Sequence, residues 1–464
     1  MKNLTRLLAI TIYAFLTVYL LTGCKSARDH SVYWGVETAE IESELNSLLQ
    51  CFYPRIIDTI HGGYWTNFEN DWTLSKQQDK MLVTQARDLW TASRAVEFFP
   101  DNPVYKKAAD HGYQFLTMEM WDTLYGGFFQ SYYSDSAQKT DHSFKLTYGN
   151  AFALYALAEY ARINKDPAVL EWVKKSFNWL ENSVHDSVYS GYFNIAVPEN
   201  IASSDPLSKN ALRRAGWGNP DWKDQNTSIH LMEAFTAAYQ VLPEEPVRKR
   251  LTEMLTLIRD SMVNQAGYLN LYFTKKWEPL TNSDSSRAYI LKNPGFDHIS
   301  FGHNIETAYL LVDASRTLYG SCDSVTLSTA KKLIDHTIMY GFDQDSYGLY
   351  DKGYRFPPDN KVEIIDSTKV WWAQAEAWHA LSLFATLYPE ETVYPKAFAN
   401  MWLYIQKEII DHQYGGWYNS GLDKNPETIT LKKAHAWKGC YHDGRAMFQV
   451  LEYAKLATAG HGKK

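Results

Sequence analysis

Asp58-Thr59-Ile60-His61-Gly62-Gly63-Tyr64-Trp65 is the stretch on which the reading of this chain turns, because it comes back. It returns as Asp122-Thr123-Leu124-Tyr125-Gly126-Gly127-Phe128-Phe129, as Asp186-Ser187-Val188-Tyr189-Ser190-Gly191-Tyr192-Phe193 and as Asp411-His412-Gln413-Tyr414-Gly415-Gly416-Trp417-Tyr418. Weaker copies read Asn264-Gln265-Ala266-Gly267-Tyr268-Leu269 and Asp345-Ser346-Tyr347-Gly348-Leu349-Tyr350. The copies start at 58, 122, 186, 264, 345 and 411, at intervals of 64 to 81 residues. Six copies of one phrase signal an array of one supersecondary unit.

Between copies the pattern is helical. Asn150 to Ala161 is apolar nearly all round, as a buried helix is. The stretches beginning at Leu231, Thr307 and Ala375 behave likewise. Each precedes a more amphipathic stretch, such as Ala168 to Asn182 or Tyr394 to Ile410. An apolar helix followed by an amphipathic one describes an inner and an outer helix. The Gly-Gly-aromatic phrase supplies positive φ and a short extended piece. Six such hairpins predict a closed all-α toroid, an (α/α)6 barrel with short β segments at the hairpin ends. An open solenoid would expose the apolar helices to water. No Pro/Ser-rich linker interrupts residues 36 to 464, which are expected to form one catalytic domain with a frayed end.

The first 23 residues form a separate segment. Lys2 and Arg6 precede an apolar run from Leu7 to Leu20, and Leu21-Thr22-Gly23-Cys24 closes it. A small-residue site ending in Cys resembles a bacterial lipobox, which predicts a lipoprotein signal peptide over 1–23, lipidation of Cys24 and a polar tether over 24–35. The protein is then expected in the bacterial cell envelope, held to the membrane only by its N-terminal lipid. No later run reaches the roughly 18 apolar residues a span needs. Cys51, Cys322 and Cys440 are too scattered for a disulfide framework or a zinc site, so no metal and no cofactor are expected. A net charge of −7 with interspersed signs argues against nucleic acid. Aromatic residues reach 15 %, with 16 Trp and 32 Tyr, and such rings suit the C–H faces of a small carbohydrate.

In a closed barrel the site lies where one end of the inner helices opens, so polar groups near helix starts are the candidates. Ser300-Phe301-Gly302-His303-Asn304-Ile305-Glu306 puts His303 and Glu306 on one helix face. Trp437-Lys438-Gly439-Cys440-Tyr441-His442-Asp443-Gly444-Arg445 does the same for His442 and Arg445. Asn226 and His230 stand at i and i+4. Lys80 to Trp90, with Gln85 and Arg87, and Lys369 to Glu376, with Trp371 and Trp372, complete the set. Histidines without metal suit proton transfer next to a carbonyl. One imidazole removes the C2 hydrogen of an open-chain sugar, a donor stabilises the enediolate, and a second imidazole returns a proton.

These segments, with Tyr148 to Tyr160, resemble in order the cellobiose 2-epimerase branch of the N-acylglucosamine 2-epimerase superfamily. The resemblance implies an isomerase acting at C2 of the reducing end of a β-1,4-linked disaccharide. It implies His303 and His442 as the acid/base pair, Glu306 in support of His303, and His230 at ring opening or the anomeric end. It further implies Arg87, Asn226 and Tyr148 as sugar contacts, Trp372 and Trp437 as stacking positions, and a monomer or dimer. Two positions depart from the usual form: Asn304 replaces Asp, and Cys440 replaces Pro. An aldose–ketose isomerase or an N-acylglucosamine 2-epimerase of the same superfamily, a glycoside hydrolase using Asp88, Glu306 or Glu376, and a non-catalytic sugar-binding lipoprotein are the alternatives.

Overall fold

The apolar segments are the inner wall of the molecule. A computed structural model describes residues 31–461 except 135–137, 140–143, 197–220, 294, 296 and 359–360. Thirteen helices run through the described residues: α1 (Thr38–Phe52), α2 (Leu82–Phe98), α3 (Pro103–Phe115), α4 (Thr147–Ile163), α5 (Pro167–Ser183), α6 (Gln225–Val241), α7 (Glu245–Leu257), a short α8 (Arg287–Lys292), α9 (Phe301–Tyr319), α10 (Ser324–Gly341), α11 (Trp371–Leu387), α12 (Val393–Tyr404) and α13 (Tyr441–His461). Helices α2, α4, α6, α9, α11 and α13 pack each on the next, and α13 returns to α2, closing a ring of six. Outside them lie α3, α5, α7, α10, α12 and, against α13, α1. The first helix thus completes the last hairpin, and the predicted (α/α)6 barrel is the fold.

Inner and outer helices differ as their sequences do. In α4 every residue from Gly149 to Ala161 is buried, whereas α5 buries Val169, Val173, Phe177 and Leu180 along one stripe. Outer helices start with local signals. Asn102 caps Val104 ahead of Pro103, and Asp166 caps Ala168 ahead of Pro167. Inner helices start from the neighbouring repeat instead. Leu82 N–H donates to Gln130 O, Thr147 to Asn194, Gln225 to Leu271, Phe301 to Asp351 and Trp371 to Asn419. Five of the six inner helices therefore begin at a height set by the next hairpin.

The repeated phrase is that fastening. Asp58 Oδ1 accepts from the amides of Ile60 and His61, and Ile57 bridges Tyr64. Gly63, at φ 65°, must be glycine: a Cβ there would stand 2.6 Å from Phe115. The second carboxylate oxygen meets a buried lysine. Lys80–Asp58, Lys145–Asp122, Lys223–Asp186, Lys369–Asp343 and Lys433–Asp411 repeat the pair around the ring. The copy at Asn264 has no charge, and Ile299 stands two residues before α9 where Lys80, Lys145, Lys223 and Lys369 precede their helices. One expectation is corrected here. The aspartate of the fifth copy is Asp343, not Asp345: its Oδ1 accepts from Asp345 and Ser346, and its carboxylate holds Lys369.

The N-terminal boundary also moves. Residues 31–35 were expected within the tether, but Val32–Tyr33 pairs with Val36–Glu37, and the buried Tyr33 hydroxyl bonds Thr386 at 2.7 Å and Ser382 O at 3.1 Å. Burying that ring docks the chain three residues early. The signal segment and Cys24 lie outside the described residues. Among the described residues no helix is long and apolar enough to cross a membrane.

Candidate active site

Because outer and inner helices alternate along the chain, from the outer α1 to the inner α13, the six inner helices are parallel. Their N-terminal turns meet at one mouth. There Arg87, Tyr148, Asn226, His230, His303, Glu306, Trp371, Trp372, Trp437 and His442 line a cavity of about 250 Å³. Helix N-termini carry partial positive charge, so this mouth favours an anion or a developing oxyanion. All nine sequence-expected site residues within the described chain stand in this one cavity; Trp371 joins them.

The two imidazoles are held differently. His442 Nδ1 bonds Glu376 Oε1, so its Nε2 is the free nitrogen. His303 Nδ1 meets the Ser300 hydroxyl at 2.8 Å. Their rings lie 5.9 and 4.8 Å from the same Trp372 ring. Gly302 makes that packing possible, since a Cβ there would be 2.6 Å from Trp372. Burial pushes both imidazoles down to about 3, helped at His303 by His230 and His298 and at His442 by Arg87. Both are therefore neutral near pH 7, the form a base needs. His230, the third, is held through Nδ1 by Glu233 Oε2 at 2.8 Å.

Glu306 does not support His303. Its Oε1 accepts from Arg445 Nη2 at 2.7 Å, and the same nitrogen reaches Glu376 Oε1 at 2.6 Å. Arg445 Nη1 bonds Glu233 and Tyr441 Oη. A buried guanidinium attracts a carboxylate more strongly than a neutral imidazole does, and that draws Glu306 downward. Three carboxylates thus share one cation beneath the cavity. Burial opposes ionisation of all three, but Arg445 and His230 hold Glu233 down to about 2, and Arg445 with His442 holds Glu376 below the usual range. Glu306 is left with the deficit: burial, then Glu376, push it up to about 7. Glu306, Glu376 and His442 offer donor atoms within 4.8 Å of one another. For a metal that place is already served by Arg445, whose positive charge both carboxylates bind.

Arg87 forms no ion pair among the described residues. It bonds the Tyr148 hydroxyl at 3.1 Å and lies over Phe152 at 4.3 Å. A cation without a counter-ion at this mouth is the natural partner of a substrate oxyanion. Asn226 Oδ1 is buried without a partner among the described residues, an acceptor available to a sugar hydroxyl. Trp437 stands at the rim, 48 % exposed.

The two departures from the usual form point away from the cavity. Asn304 Oδ1 accepts from Leu269 N at 3.0 Å, doing at its hairpin what Gln85 does at Tyr64, Asn150 at Phe128 and Gln374 at Leu349. Cys440 is buried with its thiol 3.8 Å from the Tyr53 hydroxyl. Sequence reasoning missed Glu233 and Ser300 and gave Glu376 no partner. The spacing His230/Glu233 was readable at i+3; the pairing of Glu376 with a residue on another helix was not.

An (α/α)6 barrel with histidines, an unpaired arginine and tryptophans at one mouth defines a carbohydrate-converting enzyme of the epimerase and isomerase class. Comparison with known proteins makes this specific. The chain belongs to the N-acylglucosamine 2-epimerase (GlcNAc 2-epimerase) family, whose model matches residues 63–446. It is 25 % identical over 417 residues to a cellobiose 2-epimerase of Bacteroides fragilis, covering 89 % of this chain and 98 % of the relative. It is 25 % identical over 430 residues to a D-mannose isomerase of Marinomonas mediterranea, covering 90 % and 97 %. Its structure is similar to that of the cellobiose 2-epimerase from Spirochaeta thermophila, with a TM-score of 0.74, 27 % identity and coverage of 91 % and 97 %.

Proposed function

We propose that this protein is a sugar 2-epimerase acting at C2 of the reducing end of a β-1,4-linked disaccharide, through an enediolate. The observation that carries the reading is the placement of His303 and His442 around one Trp372 ring in one cavity, each with Nδ1 engaged and Nε2 free. One Nε2 takes the C2 proton of the open-chain aldehyde, and the electron pair moves onto the C1 oxygen. Arg87 and the helix N-termini stabilise that oxygen. The other imidazole takes a proton from solvent once the anion has formed, because a nearby negative charge raises its pKa, and the first ring later releases the proton it took. Return to C2 on the opposite face inverts the centre. His230 serves the anomeric end.

A cavity of about 250 Å³ lies below the roughly 300–1,000 Å³ typical of whole-ligand pockets. It suits one sugar ring, with a second ring outside against the exposed Trp437. The hydrolase alternative loses ground on geometry. It needs two carboxylates flanking a bond, but Glu306 and Glu376 are both tied to one nitrogen of Arg445 on the same side. Aldose–ketose isomerisation remains the second reading, favoured by the similarity to a D-mannose isomerase. It differs only in return of the proton to C1.

Incubation of residues 25–464 in D2O with cellobiose, β-1,4-mannobiose, mannose and N-acetylglucosamine, followed by NMR, separates these readings. Deuterium at C2 with inversion is expected, on a disaccharide. A ketose would establish the isomerase, free monosaccharide would establish the hydrolase, and no change in any sugar would favour a binding protein.

We also propose that the protein is lipidated at Cys24 and held at the cell envelope, on the strength of Leu21-Thr22-Gly23-Cys24 behind an apolar run. The full chain should then fractionate with membranes, and Cys24→Ser should release it or leave it unprocessed. A Cys24→Ser protein that fractionates and migrates like the original would overturn the lipid anchor.

A further inference from the structure

The barrel has a second cavity, at the end where the inner helices finish. It measures about 340 Å³, within the range of small-molecule sites. Helix C-termini carry partial negative charge, and Arg162 and Arg316 in the last turns of α4 and α9 offset it. That accounts for two of the arginines and leaves the interior unexplained. There Trp90 Nε1, Arg94 Nε and Arg445 Nε, on residues at most 3 % exposed, donate to nothing among the described residues. Glu159 Oε1 and His379 Nδ1 are buried on the same wall without a hydrogen bond, although Glu159 lies 3.6 Å from Arg94. Unpaired buried polar atoms are costly, and a cluster of them calls for a ligand that pairs with them.

The chemistry of the wall restricts that ligand. Its indole and guanidinium groups only donate, its carboxylates only accept, and a hydroxyl does both. Four carboxylates face four guanidinium groups, so the formal charges of the wall cancel; burial pushes Glu159 up and Asp313 up to about 7, so sulfate is included in the test as a competitor. We infer that this far cavity is a second binding site, for a neutral polyhydroxylated ligand the size of one sugar ring. The inference is independent of the reaction at the near mouth. Glu233, Tyr309 and Arg445 belong to the wall between the two cavities, so the test leaves them unchanged.

Mannitol has no carbonyl to react and serves as the probe, counted by equilibrium dialysis on the whole protein. Ala237 on α6 and Gln449 on α13 both line the far cavity, so Ala237→Trp fills it and Gln449→Leu removes a polar group from it without adding bulk. Relative to the unaltered chain, Ala237→Trp should bind one mannitol fewer while keeping its turnover and melting temperature. Gln449→Leu should weaken one binding step about tenfold. Sodium sulfate and magnesium chloride should not compete. Equal binding by all three proteins, as a cavity holding only water would give, overturns the inference. So does displacement of mannitol by sulfate or by magnesium, which would make this an ion site. If Ala237→Trp does not fold, the Gln449→Leu titration decides alone.

Discussion

The starts of α9 and α13 present the same side chain in two settings. At α13 an imidazole is backed by a carboxylate, Glu376, which is itself braced by Arg445 and by the Tyr309 hydroxyl at 2.6 Å. At α9 the imidazole is backed by the hydroxyl of Ser300, one residue outside the helix. Burial holds both rings in the neutral form, but only His442 has a hydrogen-bonded anion that favours its charged form. A ring paired with an anion is the stronger base; a ring paired with a hydroxyl gives its proton up more readily. A repeated scaffold can thus bring two imidazoles to one cavity, beside one Trp372 ring, without making them equal.

The largest effect should come from removing either ring. His303→Ala and His442→Ala should each lower kcat by about 10² to 10⁴-fold, and they should fail differently. Each variant should still wash deuterium into C2 of one epimer, and the two variants should choose opposite epimers. Loss of exchange from both epimers in one variant alone would show that one ring does all the chemistry.

The supports come next. Glu376→Gln removes a charge-assisted bond and should cost about 10- to 100-fold in kcat, whereas Ser300→Ala removes a neutral one and should cost about 2- to 10-fold. Equal losses would erase the asymmetry between the two settings. The smallest effect is on pH. The base must be neutral, and burial holds both imidazoles at about 3 rather than 6.5. The acid limb of kcat/KM for the free enzyme should therefore lie well below pH 6.5, leaving the rate nearly level from pH 7 to about 5. In Glu376→Gln the anion that raises His442 is gone, so the limb should move lower still. A limb near 7 that disappears in Glu306→Gln would report Glu306, which burial and Glu376 push up to about 7; a limb near 6.5 that survives in Glu306→Gln would mean that the rings are solvated.

Much of this was legible in the chain because the fold is periodic. The six phrases and the alternation of all-round apolar and one-sided helices specify hairpins, and Gly62-Gly63 before Tyr64 marks where each turns. Even the absence of charge in the copy at Asn264 is matched within the sequence, by Ile299 in place of a lysine. What failed to read was partnership across repeats. Asp343 and Asp345 both suit the local pattern, and only Lys369, 26 positions on, selects between them. Glu306 at i+3 from His303 looked like its support until Arg445 arrived from α13.

The sequence by itself determined the barrel and the side chains that gather at one mouth, because periodicity and helix-start position are local properties that ring closure merely gathers. Only the tertiary structure decided which acid holds which base, that Asn304 and Cys440 face away from the cavity, and that a second cavity exists at the other end. Those follow from contacts between helices far apart in the chain, where buried charges must choose partners, and that choice is written in distances rather than in spacing.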